Sequence, residues 1–300
     1  MSLQIYGGRT AARIGFIPAF AFIAFFSLIP AIATLALSFT DISATPGVPT
    51  NFVGLDNYER LLGAGLLSSA VNALIHTLVF AVAVSVIQNI LALLIAVLLN
   101  RRSRFALFTR SVAFMPSVLG VTVVGLLWTL FFNPVGGPAQ SALKIFGLNS
   151  SFFGDPNLAL GLCIFVQIWM SVGYATLIYT AGLQAVPSEL YEAGAIDGVT
   201  GFQRLRLLTI PIIAPTVTVN VLLSIIGSLH AFQLIYILTG TGNQATDVLA
   251  LMLYRVGFGL GAGAIQDQGL ASAISIVQFL IIAVVALIAY RYLRRRENDL

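Results

Sequence analysis

Glu192 and Asp197 lie in a short polar segment, Pro187 to Gly198, between two long apolar runs of this 300-residue chain. Ser188 is positioned to cap a helix whose first turn carries Glu189, an acid favoured at the positive end of the helix dipole. Gly198 is expected to end that helix. Beyond it, an amphipathic stretch sets Phe202, Leu205 and Leu208 on one side and Gln203, Arg204 and Arg206 around the others, until Pro211 marks a return to apolar sequence. Two short helices hinged at a glycine suit docking into a groove on a soluble partner, with Glu192 offering its carboxylate to a basic group. The same pattern also fits a linker helix lying on lipid head groups.

A second set of residues has the chemistry of solute binding. Asn220, Ser224, Gly227, Ser228 and Ala231 recur at helical spacing and form a small, polar stripe, with His230 and Gln233 on a neighbouring face. Upstream, Gln167, Trp169, Ser171 and Tyr174 supply amide, aromatic and hydroxyl groups that match sugar hydroxyls and the apolar faces of pyranose rings. Small and polar residues are also how membrane helices pack, so helix contact is the competing reading. His76 and Trp128 read as packing or interfacial residues. The chain has no GxxxxGK[ST] phosphate loop, nucleophile elbow or HExxH pair, so it is expected to be neither an enzyme nor itself an ATP binder. Its one cysteine, Cys163, reads as core filler. Two histidines and unclustered acids give no metal centre.

The elements that position these groups follow from composition. Hydrophobic residues make up 58% of the chain and charged residues 9%, far from the roughly 25% charge of soluble domains. A hydrocarbon core about 30 Å thick takes roughly 20 apolar residues per helix. Six runs of about that length or longer stand at 14–40, 71–100, 107–132, 158–182, 209–239 and 270–291. The expected fold is therefore all-α, with six transmembrane helices in a single domain over 1–300. Turn chemistry separates the runs at Thr45-Pro46-Gly47, Asn133 to Pro138 and Gly240 to Asn243. The first run is too long for a signal-peptide core and is expected to stay as a helix, although Ala31-Ile32-Ala33 resembles a cleavage site.

The basic residues orient the spans. With the N-terminus in the cytoplasm, Arg9, Arg13, Arg101, Arg102, Arg104, Arg110, Arg204, Arg206, Arg291, Arg294, Arg295 and Arg296 lie inside, and only Arg60, Lys144 and Arg255 outside. Both termini and the Glu192 loop are then cytoplasmic. Short basic blocks beside apolar spans explain the net charge of +4 better than nucleic acid does. Every Asp and Glu falls in a loop, a tail or a span end. Ion-coupled carriers commonly place an ionisable relay at mid-membrane, so the energy source is expected on another chain. An ion-coupled carrier or channel and a membrane scaffold are the rival classes.

Glu192-Ala193-Gly194, Gly198 and Leu208-x-Ile210-Pro211 resemble, with matching spacing, the EAA loop of binding-protein-dependent ATP-binding cassette permeases. Gly194, Leu208 and Ile210 depart from that pattern, which has Ala, Ile and Leu there. Asn51-Phe52-Val53-Gly54-Leu55-Asp56-Asn57-Tyr58 is similar to a segment of the carbohydrate importers, as are Leu238 to Gly242, Tyr254-Arg255, Phe258 and Gly269 to Ala273. The resemblance is to the first permease subunit of the maltose type, without its extra N-terminal helices or large outer-loop domain. It implies a cytoplasmic-membrane permease that docks an ATPase through Glu192, Ala193, Gly194, Asp197, Gly198 and Pro211. It also implies a second permease subunit, two ATPase subunits holding ATP and Mg, and an extracytoplasmic sugar-binding protein. Met170, Ser171, Tyr174, Ser224, Gly227, Ser228 and Ala231 fall where that family contacts sugar, and Ser228 and Ala231 stand where the maltose subunit has asparagine. Glycerol phosphate is the alternative solute, although it would call for Arg or Lys near mid-membrane.

Overall fold

A computed structural model of the chain describes residues 8–43, 47–63, 66–100, 104–241, 244–260 and 266–298, with side chains from 16 onward except at 104–107 and 296–298. Thr45, Pro46, Arg101, Arg102, Gly242, Asn243 and Asp299 lie outside the described residues, as do the side chains of Arg9, Arg13, Arg104, Arg296 and Glu297. The described chain is helical, with one isolated antiparallel bridge between Thr40 and Phe52. In order the helices are α1 (Gly8–Ile23), α2 (Ile29–Leu37), α3 (Asp56–Leu62), α4 (Leu67–Leu98), α5 (Arg104–Val118), α6 (Val121–Phe131), α7 (Pro138–Ile145), α8 (Ala159–Gln184), α9 (Ser188–Ile196), α10 (Gly201–Arg204), α11 (Ile210–Ile212), α12 (Ala214–Leu229), α13 (Gln233–Thr239), α14 (Leu249–Phe258) and α15 (Gln268–Asn298).

Four helical stretches are long and apolar enough to cross a membrane unbroken: Phe16–Leu37, Leu67–Leu98, Ala159–Gln184 and Gln268–Arg295. The other two expected spans are broken. Phe108–Val118 meets Val121–Phe131 at 98°, and Gly201–Ile212 meets Ala214–Leu229 at 79°, so six spans result when each bent pair counts as one. Neither 107–132 nor 209–239 is the continuous helix its hydropathy suggests. In the first pair the N–H of Leu119 turns back to the carbonyl of Pro116 at 3.2 Å and Gly120 becomes extended (φ −63°, ψ 144°). In the second, Pro211 and Pro215 each withhold an N–H from the helical ladder, and the bend falls at Ile213 between them. The 209–239 run breaks again at 230–232, leaving α13 as a separate helix.

Proline also accounts for two π turns. Ala24–Leu28 joins α1 to α2 just before Pro30, and Leu205–Thr209 joins α10 to α11 just before Pro211. A proline cannot return an N–H to the carbonyl four residues back, and a wider turn absorbs the mismatch.

The chain divides into two units. Residues 1–67 and 253–277 form one. Here Asn57, fully buried, donates through Nδ2 to the carbonyls of Ser38 (3.0 Å) and Thr40 (2.8 Å), while the Ser38 and Tyr58 hydroxyls pair at 2.7 Å. Gly269 lies against this knot: a Cβ there would meet the Thr40 carbonyl oxygen and, at 3.1 Å, Asn57 Nδ2. Asp41 accepts the Asn51 N–H at 2.5 Å and its side-chain amide at 3.0 Å, and those bonds hold its carboxyl below the usual range. Arg60 pairs with Asp267 at 2.8 Å.

Residues 68–252 and 278–300 form the other unit. Its main core gathers Phe80 and Val84 of α4, Val124 of α6, Cys163 and Val166 of α8, and Leu234 and Ile235 of α13. Cys163 is core filler as expected. Helix α8 packs closely on α5, and α13 on α6 where Gly125 leaves room for the Ile237 side chain. The Arg110 guanidinium donates to the Leu99 carbonyl, covering the C-terminal end of α4 with a positive charge. Large apolar side chains such as Phe20, Phe26, Val82, Ile90, Leu126 and Phe279 point outward, as a lipid solvent permits.

Candidate translocation surface and coupling loop

In the second unit three helices meet around one buried amide. Asn89 of α4 donates to the carbonyl of Ser85 (2.7 Å) and to Ser224 Oγ of α12 (2.8 Å), and accepts from the Tyr179 hydroxyl of α8 (2.7 Å). Asn220 donates to the Ala175 carbonyl at 3.0 Å, and Ser171 donates to Gln88 Oε1 at 2.9 Å and the Gln167 carbonyl at 2.6 Å. Polar atoms buried in a bilayer need such partners. The structure thus places Asn220, Ser224 and Ser171 in interhelical contacts, with Ser228 also buried. Asn89 and Gln88, invisible as candidates in an apolar run, are the partners that sequence reasoning missed. Asn89→Leu should cost about 1 to 3 kcal/mol by stranding the Tyr179 hydroxyl. In unfolding of the purified protein, that penalty should shrink when Tyr179→Phe is added, as a double-mutant cycle reads directly; purely additive losses would contradict the junction.

Next to this junction lies a recess of about 330 Å³. Gln167 and Met170 of α8 line it from one side, and His230, Ala231, Phe232 and Gln233 from the other. Those four residues include the break between α12 and α13, where His230 (φ −94°, ψ 2°) and Phe232 (φ −139°, ψ −57°) leave the helical ladder. Irregular backbone at membrane depth is tolerated where it lines a cavity, and transporter sites are commonly built from such discontinuous helices. None of the lining residues is Asp, Glu, Lys or Arg. Ala231 lies in the break and not on the stripe of α12, whereas Gly227 is on α12 but exposed. Tyr174 is also exposed, and Trp169 packs edge-on against Trp128 at 5.3 Å in an aromatic group with Phe131, Phe132 and Phe165. His76 is packed, its Nδ1 at 3.1 Å from the Asp247 carbonyl oxygen.

The loop after α8 forms two short helices, as its pattern predicts, with two changes of detail. Helix α9 begins at Ser188 itself, with Pro187 at the N-cap, so the serine side chain does not cap it. A capping box is found instead at the start of α10, where Thr200 is the N-cap and its N–H donates to Gln203 Oε1 at 2.9 Å. Gly198 takes φ +74°, and the Val199 N–H returns to the Gly194 carbonyl at 2.9 Å, a helix end that favours glycine. Gly194 is buried, and a Cβ on it would meet Leu208 Cδ1 at 2.7 Å. The departures at positions 194 and 208 are thereby one packing choice: a longer side chain at 208 occupies the space an alanine at 194 would need.

Phe202 is not on a buried side together with Leu208, as amphipathicity suggested, because the π turn Leu205–Thr209 rotates the register and buries Thr209 instead. The loop therefore exposes Ile196, Phe202 and Leu207 beside the exposed carboxylates of Glu192 and Asp197, while Ala193 is exposed between them.

Apolar helices of spanning length, two of them bent pairs, together with a recess lined by no Asp, Glu, Lys or Arg and an exposed two-helix loop, describe a multi-pass helical membrane protein. The family model for the binding-protein-dependent transport system inner membrane component matches residues 88–299, and the chain belongs to that family. It is 33% identical over 249 residues to the multiple sugar-binding transport system permease protein MsmF of Streptococcus mutans, covering 82% of this chain and 83% of that one. It is 31% identical to the trehalose/maltose transport system permease protein MalF of Thermococcus litoralis, covering 90% of each. Identity is also 31% to the sn-glycerol-3-phosphate transport system permease protein UgpA of Agrobacterium fabrum, over 84% of each chain. The fold matches that of a chain in a bacterial ABC transporter involved in import of the acidic polysaccharide alginate, with TM-score 0.80, 22% identity and 95% of each chain covered.

Proposed function

We propose that the chain is a permease subunit of an ATP-binding cassette importer for an uncharged di- or oligosaccharide and forms half of the translocation pathway. The observation that carries the solute class is the lining of the recess. Gln167, Gln233 and His230 offer hydrogen bonds, Met170 and Phe232 offer apolar surface, and no Asp, Glu, Lys or Arg is among them. Sugar-permease relatives support the same reading. A phosphate ester would leave its two negative charges unpaired there, at a cost of several kcal/mol. In this reading Trp169, Ser171, Tyr174, Asn220, Ser224, Gly227, Ser228 and Ala231 shape the pathway around Met170 and Gln233, several of them by holding helices in register.

A second permease subunit completes the pathway, and an extracytoplasmic sugar-binding protein or lipoprotein delivers the solute. Two ATPase subunits hold ATP and Mg and dock on Glu192 to Gly198, with Pro211 fixing where the loop rejoins the membrane. The exposed apolar side chains of Ile196, Phe202 and Leu207 on a loop outside the bundle support that docking. The excess of twelve arginines on one side supports both ends and this loop lying in the cytoplasm of a bacterium or archaeon. Uptake by proteoliposomes holding the full complex decides the matter: ATP-dependent entry of a neutral oligosaccharide is expected, with at least tenfold preference over glycerol 3-phosphate. Uptake of glycerol 3-phosphate alone, or sugar uptake independent of ATP, would overturn the proposal.

A further inference from the structure

A second cavity, of about 310 Å³, opens under the coupling loop where α4 and α8 end. Its walls combine Leu183 and Leu205 with four polar groups: the Asn100 amide, the hydroxyls of Tyr191 and Thr209, and the Arg204 guanidinium. The Arg204 Nε is buried without a hydrogen-bond partner among the described residues, and its guanidinium lies over the face of the Tyr191 ring, at 6.0 Å from the centroid. The Thr209 hydroxyl donates to the Arg204 carbonyl at 3.2 Å and reaches the Tyr191 hydroxyl only at 3.4 Å, a loose contact that leaves the Tyr191 hydroxyl with bonding capacity. An arginine desolvated on one edge and without an ion pair among the described residues is costly, and buried polar atoms of this kind usually mark a missing partner. A guanidinium fork beside hydroxyl and amide donors is the geometry that recognises a phosphate oxyanion.

We infer that Arg204, with Tyr191 and Asn100, forms a phosphate-binding site between the coupling loop and the ends of α4 and α8. The ligand chemistry has two sources, the headgroup of an anionic lipid and free phosphate, and the leucines at the wall suit the first through an adjoining acyl chain. The site stands on this geometry and not on the sugar reading.

The test uses the complete complex in nanodiscs of phosphatidylcholine with or without phosphatidylglycerol, and inorganic phosphate as the soluble probe. Native mass spectrometry should show phosphatidylglycerol retained by the wild type about tenfold more than by Arg204→Gln, with Arg204→Lys intermediate and the exposed Arg206→Gln unchanged. Tyr191→Phe, which keeps the ring, should weaken retention by a smaller factor. If inorganic phosphate protects the complex thermally in neutral lipid, and loses that effect in Arg204→Gln, the source is free phosphate and the site still holds. Equal retention and equal protection in wild type and Arg204→Gln would overturn the inference. So would cross-linking of Arg204 to a carboxylate of a partner subunit in both lipid backgrounds, since that acid would be the missing counter-ion. Loss of sugar transport with intact lipid retention would count against the proposed function alone.

Discussion

Replacing Gly173 by alanine is expected to destabilise the protein markedly. A Cβ at this position would meet the backbone of α5 directly, at the Ala113 carbonyl oxygen and, at 2.7 Å, at Phe114 Cα. Backbone cannot rotate out of the way as a side chain can, so α8 and α5 must part along their whole interface. Overpacking of this kind costs about 1 to 3 kcal/mol or more, against a gain in helix propensity of about 1 kcal/mol for glycine to alanine. Gly161, on the same helix with nothing within 4 Å of its Cβ position, supplies the control. Gly161→Ala should raise or preserve the unfolding midpoint of the purified protein while Gly173→Ala lowers it by several degrees. Since Gly173 lies between Ser171 and Tyr174, uptake should fall with it. Equal midpoints for the two variants would mean that α5 and α8 do not touch as described.

That helix–helix contact was not legible in the sequence, whereas the spans were. Hydropathy and the need for about 20 apolar residues per crossing locate six runs without reference to tertiary contact. The breaks inside two of them were signalled, by Pro116 with Gly120 and by Pro211 with Pro215, but hydropathy averages over such positions and reads through them. The third break carried no local signal at all. His230-Ala231-Phe232-Gln233 contains neither proline nor glycine, and α13 turns away because Leu234, Ile235 and Leu238 bury against the core and Ile237 fits over Gly125. Tertiary packing decides that turn, and it creates the recess.

The motifs fared differently according to how local their physics is. Asn57, Tyr58 and Gly269 come from two segments more than 200 residues apart, each marked by resemblance to sugar permeases, and the structure gives both a single task. Asn57 bonds the carbonyls at 38 and 40, and Gly269 lacks the Cβ that would collide there. The polar stripe of α12 was legible as a periodicity but ambiguous in purpose. Its hydrogen bonds run to Asn89 and to the Ala175 carbonyl, and neither partner can be inferred from a lone helix. The proposed pathway therefore assigns specificity less to the stripe than to the break beside it, which carries no Asp, Glu, Lys or Arg.

The coupling loop gives the second large effect. Gly198→Pro should abolish stimulation of the ATPase by the loaded binding protein while leaving the permease folded in the membrane. Gly198 holds φ +74°, whereas proline is fixed near −65°, and proline also removes the N–H that bonds the Ala195 carbonyl at 3.2 Å. The chain leaving α9 would have to take another direction, and Phe202 would no longer share a surface with Glu192. Gly198→Ala meets only the left-handed penalty of about 1 to 2 kcal/mol and should retain part of the coupling. Glu192 probes the same surface through charge. Its exposed carboxylate is proposed to meet a basic group of the ATPase, a charge-assisted bond of about 1.5 to 3 kcal/mol, so Glu192→Ala should reduce coupled uptake about 10- to 100-fold. Basal ATPase activity of the assembled complex separates the two effects: it should survive in Glu192→Ala, where the surface is intact, and respond no further to the binding protein in Gly198→Pro. Full coupling in both variants would remove the loop from the path between ATP and solute, and the energy would then have to enter the spans elsewhere.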